Sequence, residues 1–195
     1  MSWKPLFKLT LGFNLIDRLI AVIQRDQAAA LAYVLANFPA LPQGVTVAPV
    51  QFFFRGPGAK PQPPYIIISV NGPDYDLGAE PPLHGTHAFM VICDCGDFDN
   101  EDVVWQAQVY ALTLMQVLTA SFYGPGLGDL YAGLTLTEND GTTKRTTKPP
   151  AAGTVKSALL HAAKLEIQPG DENRPTPLLR VAITGAFELE DIAAP

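Results

Sequence analysis

The stretch HAFMVICDCGDFDNEDVVWQAQVYALTLMQVL, residues 87–118, changes its period in the middle, and this constrains the fold more than any other feature. Residues 87–95 read as a strand, whereas Val104, Gln108, Ala111, Leu112, Met115 and Leu118 recur at helical spacing. Gly96 breaks the strand between them. Asp99 stands where an N-cap belongs, and Asp102 sits three residues on, as in a capping box with Asp in place of Glu. Glu101 and Asp102 also suit the positive end of a helix dipole. A strand that turns directly into a helix over 99–121 asks for a sheet with that helix packed on one face.

The same ten residues, CDCGDFDNED, hold five acids and two cysteines, with His84 and His87 just upstream, so they also invite a metal reading. Spacing argues against it. An EF-hand loop needs Gly at its sixth position and Glu at its twelfth. Counting from Asp94 the sixth residue is Asp99, and counting from Asp97 the twelfth is Gln108. A zinc site from His84, His87, Cys93 and Cys95 would rest on Cys-x-Cys, which lacks the usual two to four intervening residues. Asp94 and Asp97 beside the thiols would raise rather than lower a cysteine pKa, so a nucleophilic cysteine is also disfavoured. The sequence therefore assigns no catalytic, cofactor-binding or metal residue, and no cofactor.

Before this unit, Asn14 is placed to cap a helix in which Leu15, Ile16, Leu19, Ile20 and Ile23 share a stripe, continued by Ala28, Leu31, Val34, Leu35 and Phe38. A helical region over 14–38 follows. Strands are expected within 45–95: VTVAPVQFFFRG, interrupted by Pro49; YIIISV, apolar on both faces; and HAFMVICDC. GPGAKP and GPGLGD are Gly-rich but match neither phosphate-binding pattern, and read as turns. After the central helix, residues 129–191 read as strands and hairpins, with Asp140-Gly141 a strong turn signal and TTKRTTK an exposed return strand. In strand alternation His161 falls on the side of Leu159 and Leu165 and reads as a packed histidine. The whole is one α+β domain, 1–195, with a single mostly antiparallel sheet, an N-terminal helix and a long central helix on a face, and long C-terminal hairpins.

Composition enters where surfaces are concerned. Only 16% of residues are charged while 48% are hydrophobic, which points to surface covered by partners. Three consecutive phenylalanines, Phe52, Phe53 and Phe54, cannot all face one core in a strand, so they are candidates for a subunit interface. Lys144, Arg145 and Lys148 form the one local positive cluster, a candidate contact with an acidic partner or passing DNA. A net charge of −6 argues against free nucleic-acid binding. The chain shows no signal-peptide layout and no run of apolar residues long enough for a membrane span.

In layout the chain resembles the tail terminator (tail completion) proteins of long-tailed bacteriophages. The residues that carry the resemblance are the N-terminal NLIDRLIAVIQRDQAAALAYVLANF, the strands YIIISV and HAFMVICDC, the acid-capped NEDVVWQAQVYALTLMQVL, and the closing strands. The resemblance implies a virion protein made in the host cytoplasm. It implies a homohexameric ring that caps the tail tube and joins it to the neck, with DNA passing through the lumen and no catalysis. In that setting Phe52, Phe53 and Phe54 would lie between subunits. Lys144, Arg145 and Lys148 would meet tube or neck proteins, and an acidic lining would let DNA slide. The rivals are another head–tail connector, neck or baseplate component, and a small cytoplasmic metal- or ligand-binding protein using His84, His87, Cys93 and Cys95.

Overall fold

The computed structural model describes residues 12–38, 40–56, 61–72, 74–75, 83–123, 132–150, 155–170, 172 and 174–191. The turn stretches GPGAKP and GPGLGD fall largely or wholly outside them, as does the first part of the strand expected from residue 129. In chain order the elements are α1 (Gly12–Asn37), β1 (Phe52–Arg55), β2 (Tyr65–Val70), β3 (Asp74–Tyr75), β4 (Leu83–Asp97), α2 (Glu101–Tyr123), β5 (Thr135–Thr137), β6 (Lys144–Thr146), β7 (Val155–Gln168) and β8 (Leu178–Asp191).

The α+β expectation holds: two helices pack on a mostly antiparallel sheet with long C-terminal strands. Five strands lie in the order β1-β2-β4-β8-β7, and the two-residue β3 joins β4. Only β1 and β2 run parallel. The hairpin β5–β6 is not part of this sheet, as a single-sheet reading would have it, but a separate two-stranded one. Its turn uses Gly141 at φ 74, a conformation that suits glycine, and Asp140 accepts hydrogen bonds from the backbone N–H groups of Thr142 and Thr143.

Both helices cover one face. Ile66 and Ile68 of β2, Phe89, Val91, Cys93 and Cys95 of β4, and Val181, Ile183 and Phe187 of β8 point into it. They meet Leu15, Leu19, Ile20 and Ile23 of α1 and Ala107, Leu114, Val117 and Leu118 of α2 in one continuous core. Phe89, Phe122 and Phe187 form an aromatic cluster, with ring centroids 5.1–5.8 Å apart. By length and composition α1 could also cross a bilayer, but its apolar stripe is buried against the sheet and α2.

The strand-to-helix unit differs in detail from its sequence reading. β4 continues through Gly96 to Asp97, with a bulge between Asp94 and Gly96. A Cβ at Gly96 would come within 2.9 Å of Val103, so glycine is what lets α2 start this close to the sheet. The cap is Asn100, not Asp99: its Oδ1 accepts from the Asp102 N–H at 3.0 Å. The helix consequently runs over 101–123 rather than 99–121. Asn14 lies inside α1 rather than at its start, because helical backbone already begins at Gly12.

Candidate interaction surfaces

The residues that could have formed a metal or catalytic centre are kept apart by β4. His84 and Cys93 are nine positions apart on one extended strand, roughly 30 Å at about 3.3 Å per residue. His84 is exposed, whereas His87 is fully buried with Nδ1 2.6 Å from the Asn71 carbonyl oxygen, to which it donates. Cys93 and Cys95 share the buried face with sulfurs 3.9 Å apart. The hydrogen bond to Cys95 and burial push the Cys93 thiol well above its usual pKa, the reverse of an activated nucleophile. Among the described residues no cluster of three or more His, Cys, Asp or Glu could hold a metal ion. His161, expected to be packed, is exposed instead. It is the extra residue of a bulge between Leu160 and Ala162, which also puts Leu159 and Leu165 on opposite faces.

The phenylalanines divide as strand geometry requires. Phe53 enters the core at 4% exposure, and Phe52 and Phe54 face the other way. Phe54 stacks edge-on against Tyr65, with centroids 5.8 Å apart. They mark one end of a sheet face on which the described residues place no helix. Across it run Tyr65 and Ile67 of β2, Ala88, Met90 and Ile92 of β4, Ala182, Thr184 and Ala186 of β8, and Ala162 of β7. Met90 is 39% exposed and Phe52 38%. At its edge this apolar field gives way to charge. Arg180 holds Asp94 by two hydrogen bonds, 2.7 and 3.1 Å, and donates a third to Gln168. Tyr65 lies beside Asp94, and burial together with its hydrogen bond to that carboxylate pushes the phenol up to about 12.

The positive cluster is split. Lys144, Arg145 and Lys148 are all exposed, but Arg145 is engaged by two carboxylates of its own chain, 2.8 Å from Asp17 and 2.7 Å from Glu138. Arg55 of β1 binds the same two carboxylates at 2.7 and 3.1 Å. This four-residue cluster ties the β5–β6 hairpin to α1 and β1. The Arg145 hydrogen bond, then that of Arg55, holds the Glu138 carboxyl below its usual pKa against the opposing effect of partial burial.

Three amide side chains, unremarked in the sequence, act as substitute strands. Gln27 exchanges two hydrogen bonds with Val50, Gln24 two with Thr137, and Asn139 two with Phe53, all between 2.7 and 3.0 Å. Each satisfies one backbone N–H and one C=O that lack a strand neighbour. Asn139 thereby closes the outer edge of β1. A glutamine or asparagine at these positions gives no periodic signal, which is why sequence reasoning passes over them.

An open groove of about 590 Å³ lies at the far end of β4, lined by Asp74, His84, Thr86, Lys156 and Glu188. Lys156 pairs with Glu190 at 3.1 Å and Ser157 donates to Glu188, so the strands' own ion pairs and hydrogen bonds occupy much of its polar lining. Compared with models of known protein families and with curated proteins, the chain matches none.

Proposed function

We propose that this chain is a structural subunit that assembles with copies of itself into a ring, in the manner of the tail terminators of long-tailed phages. One observation carries the reading. Among the described residues, the sheet has an apolar face with no helix on it, while both helices cover the opposite face. A face bearing the exposed Phe52 and Met90 beside Ile67 and Ile92 is costly to leave in water, at about 25 cal/mol per Å² of apolar surface. Covering it with a neighbouring subunit removes that cost. The buried, high-pKa thiol and the separated histidines fit a structural rather than a chemical role. In such a ring the β5–β6 hairpin, pinned by the Asp17–Arg55–Glu138–Arg145 cluster and presenting Lys144 and Lys148, is the element offered to tube or neck proteins. DNA would pass through the lumen unread.

The test is light scattering on the purified chain across concentration, with negative-stain imaging of any large species. Rings with an open channel are expected, and Met90→Lys should reduce them to smaller species without loss of fold. A monomer at every concentration, or rings that survive Met90→Lys unchanged, would overturn the reading.

A further inference from the structure

We infer that the free edge of β7 pairs with the same edge of a second copy of this chain, antiparallel, about a twofold axis at Leu165. The argument begins with the two sheet edges. At β1 the edge is short and closed by Asn139. β7 is fourteen residues long, and among the described residues no strand pairs with its outer side. Long open edges are templates for pairing with another chain, and proteins blunt those they do not use. Among the described residues, the first half of β7 is blunted by the bulge at His161 and by Tyr123, whose hydroxyl accepts from the Leu160 N–H at 2.8 Å. Residues 162–168 carry neither device, and Leu165 is their midpoint.

This same segment holds apolar side chains out to water. Leu165 is 47% and Ile167 51% exposed, although Val181 and Leu179, opposite them on β8, are buried. When two copies meet by one and the same edge, the strands run antiparallel about a twofold. Charge then selects the register. Centring on residue 164 sets lysine against lysine, and centring on 166 sets glutamate against glutamate. Centring on Leu165 sets Lys164 of each copy against Glu166 of the other, Leu165 against its twin, and Ala163 against Ile167. It also completes a row already present on the outer face. Asp94, Arg180 and Glu166 are direct neighbours across β4, β8 and β7, negative, positive, negative. The second copy's Lys164 supplies the next positive charge. Opposite charges facing across strands stabilise the pair and like charges destabilise it.

This contact does not rest on the ring reading. It lies in the plane of the sheet, whereas a ring contact on the apolar face lies above it. A twofold contact alone would join subunits or rings in pairs.

The experiment uses the full chain and two variants, Lys164→Glu and Glu166→Lys. Each turns two attractive pairs into two repulsive ones, so the dissociation constant of the pair should rise about tenfold or more in either variant alone. Mixed together, the two variants again face opposite charges and should form a mixed pair about as tight as the unmodified one, seen by light scattering or native mass spectrometry. Separately, Leu165→Cys should be joined to its twin by a short bis-maleimide. Ile167→Cys should not, since its twin lies about four residues away along the ladder, roughly 13 Å. Failure of the mixture to restore pairing, or cross-linking at 167 as readily as at 165, would overturn the inference. Loss of rings in Met90→Lys with cross-linking at 165 intact would separate its fate from that of the ring.

Discussion

Gly185→Ala is the smallest change expected to disturb the core. Gly185 sits in β8 between Phe89 of β4 and Leu160 of β7. A Cβ there would lie 2.2 Å from the Leu159 carbonyl oxygen, 2.4 Å from Phe89 Cζ and 2.7 Å from Phe89 Cε1. The oxygen belongs to backbone just before the β7 bulge, and the ring stacks on both Phe122 and Phe187. Neither neighbour yields without moving others. Overpacking of a tight core costs about 1–3 kcal/mol, and each disturbed aromatic pair adds about 0.5–1.5 kcal/mol. Against this, alanine is better than glycine in a strand by no more than about 1 kcal/mol. The expected net loss is about 2 kcal/mol or more, a fall in Tm of roughly 4–8 °C for a domain of this size. Urea unfolding followed by tryptophan fluorescence measures it, as a lower midpoint at unchanged slope. Phe89→Leu in the same chain removes the ring end and should make the double variant less damaged than the sum of the singles. A neutral or stabilising Gly185→Ala, or strict additivity with Phe89→Leu, would refute the close approach at this position.

Asp94→Asn should cost about 3 kcal/mol, because Asp94 is 1% exposed and its loss leaves the Arg180 guanidinium without its bidentate partner; chemical denaturation reads it directly. Cys93 should resist thiol reagents in the folded chain and react at the rate of unfolding, since burial and the raised pKa leave little thiolate; labelling kinetics with and without urea check this. The hairpin cluster should weaken in acid. Glu138 has a folded pKa below the ordinary 4.5 of a free glutamate, so its contribution is complete above about pH 4.5 and is lost as pH falls through the depressed value. Hydrogen exchange at Thr137 and Glu138 should rise over that window, and Glu138→Gln should remove this part of the pH dependence.

Much of the architecture is legible in the residues because period and polarity agree. YIIISV is apolar on both faces and becomes β2, interior to the sheet, with its second side on the uncovered face. DG between two Thr-rich runs becomes the β5–β6 hairpin. The errors arise where one residue shifts a phase. Bulges at Cys95 and His161 each break the alternation on which face assignments depend, so alternation alone ends β4 too early and packs His161. The cap moved from Asp99 to Asn100 because both are good capping residues and only the turn geometry chooses between them. Of the surfaces, Phe52 and Phe54 were visible as a conflict with strand alternation. The fate of Arg145 was not, since its partner Asp17 is 128 residues away in sequence.

The distribution of charge across the sheet ties these points together. On the helix side, the described β2, β4 and β8 residues are almost all apolar, and the core needs nothing else. The other side is apolar in the middle and charged at both ends: Asp94, Arg180 and Glu166 line up strand by strand at one, and Glu188, Glu190 and Lys156 lie at the other. A surface meant only for water would scatter its charges. An apolar field bordered by an ordered charged row instead has the layout of a contact: a dry centre for affinity and a charged margin to fix register. The row also ends on β7, the one long strand whose outer side the described chain leaves unmatched. The two proposed contacts, on the face and at the edge, therefore lie at right angles to each other, one across the sheet and one along it. Substitutions that disable one should leave the other intact.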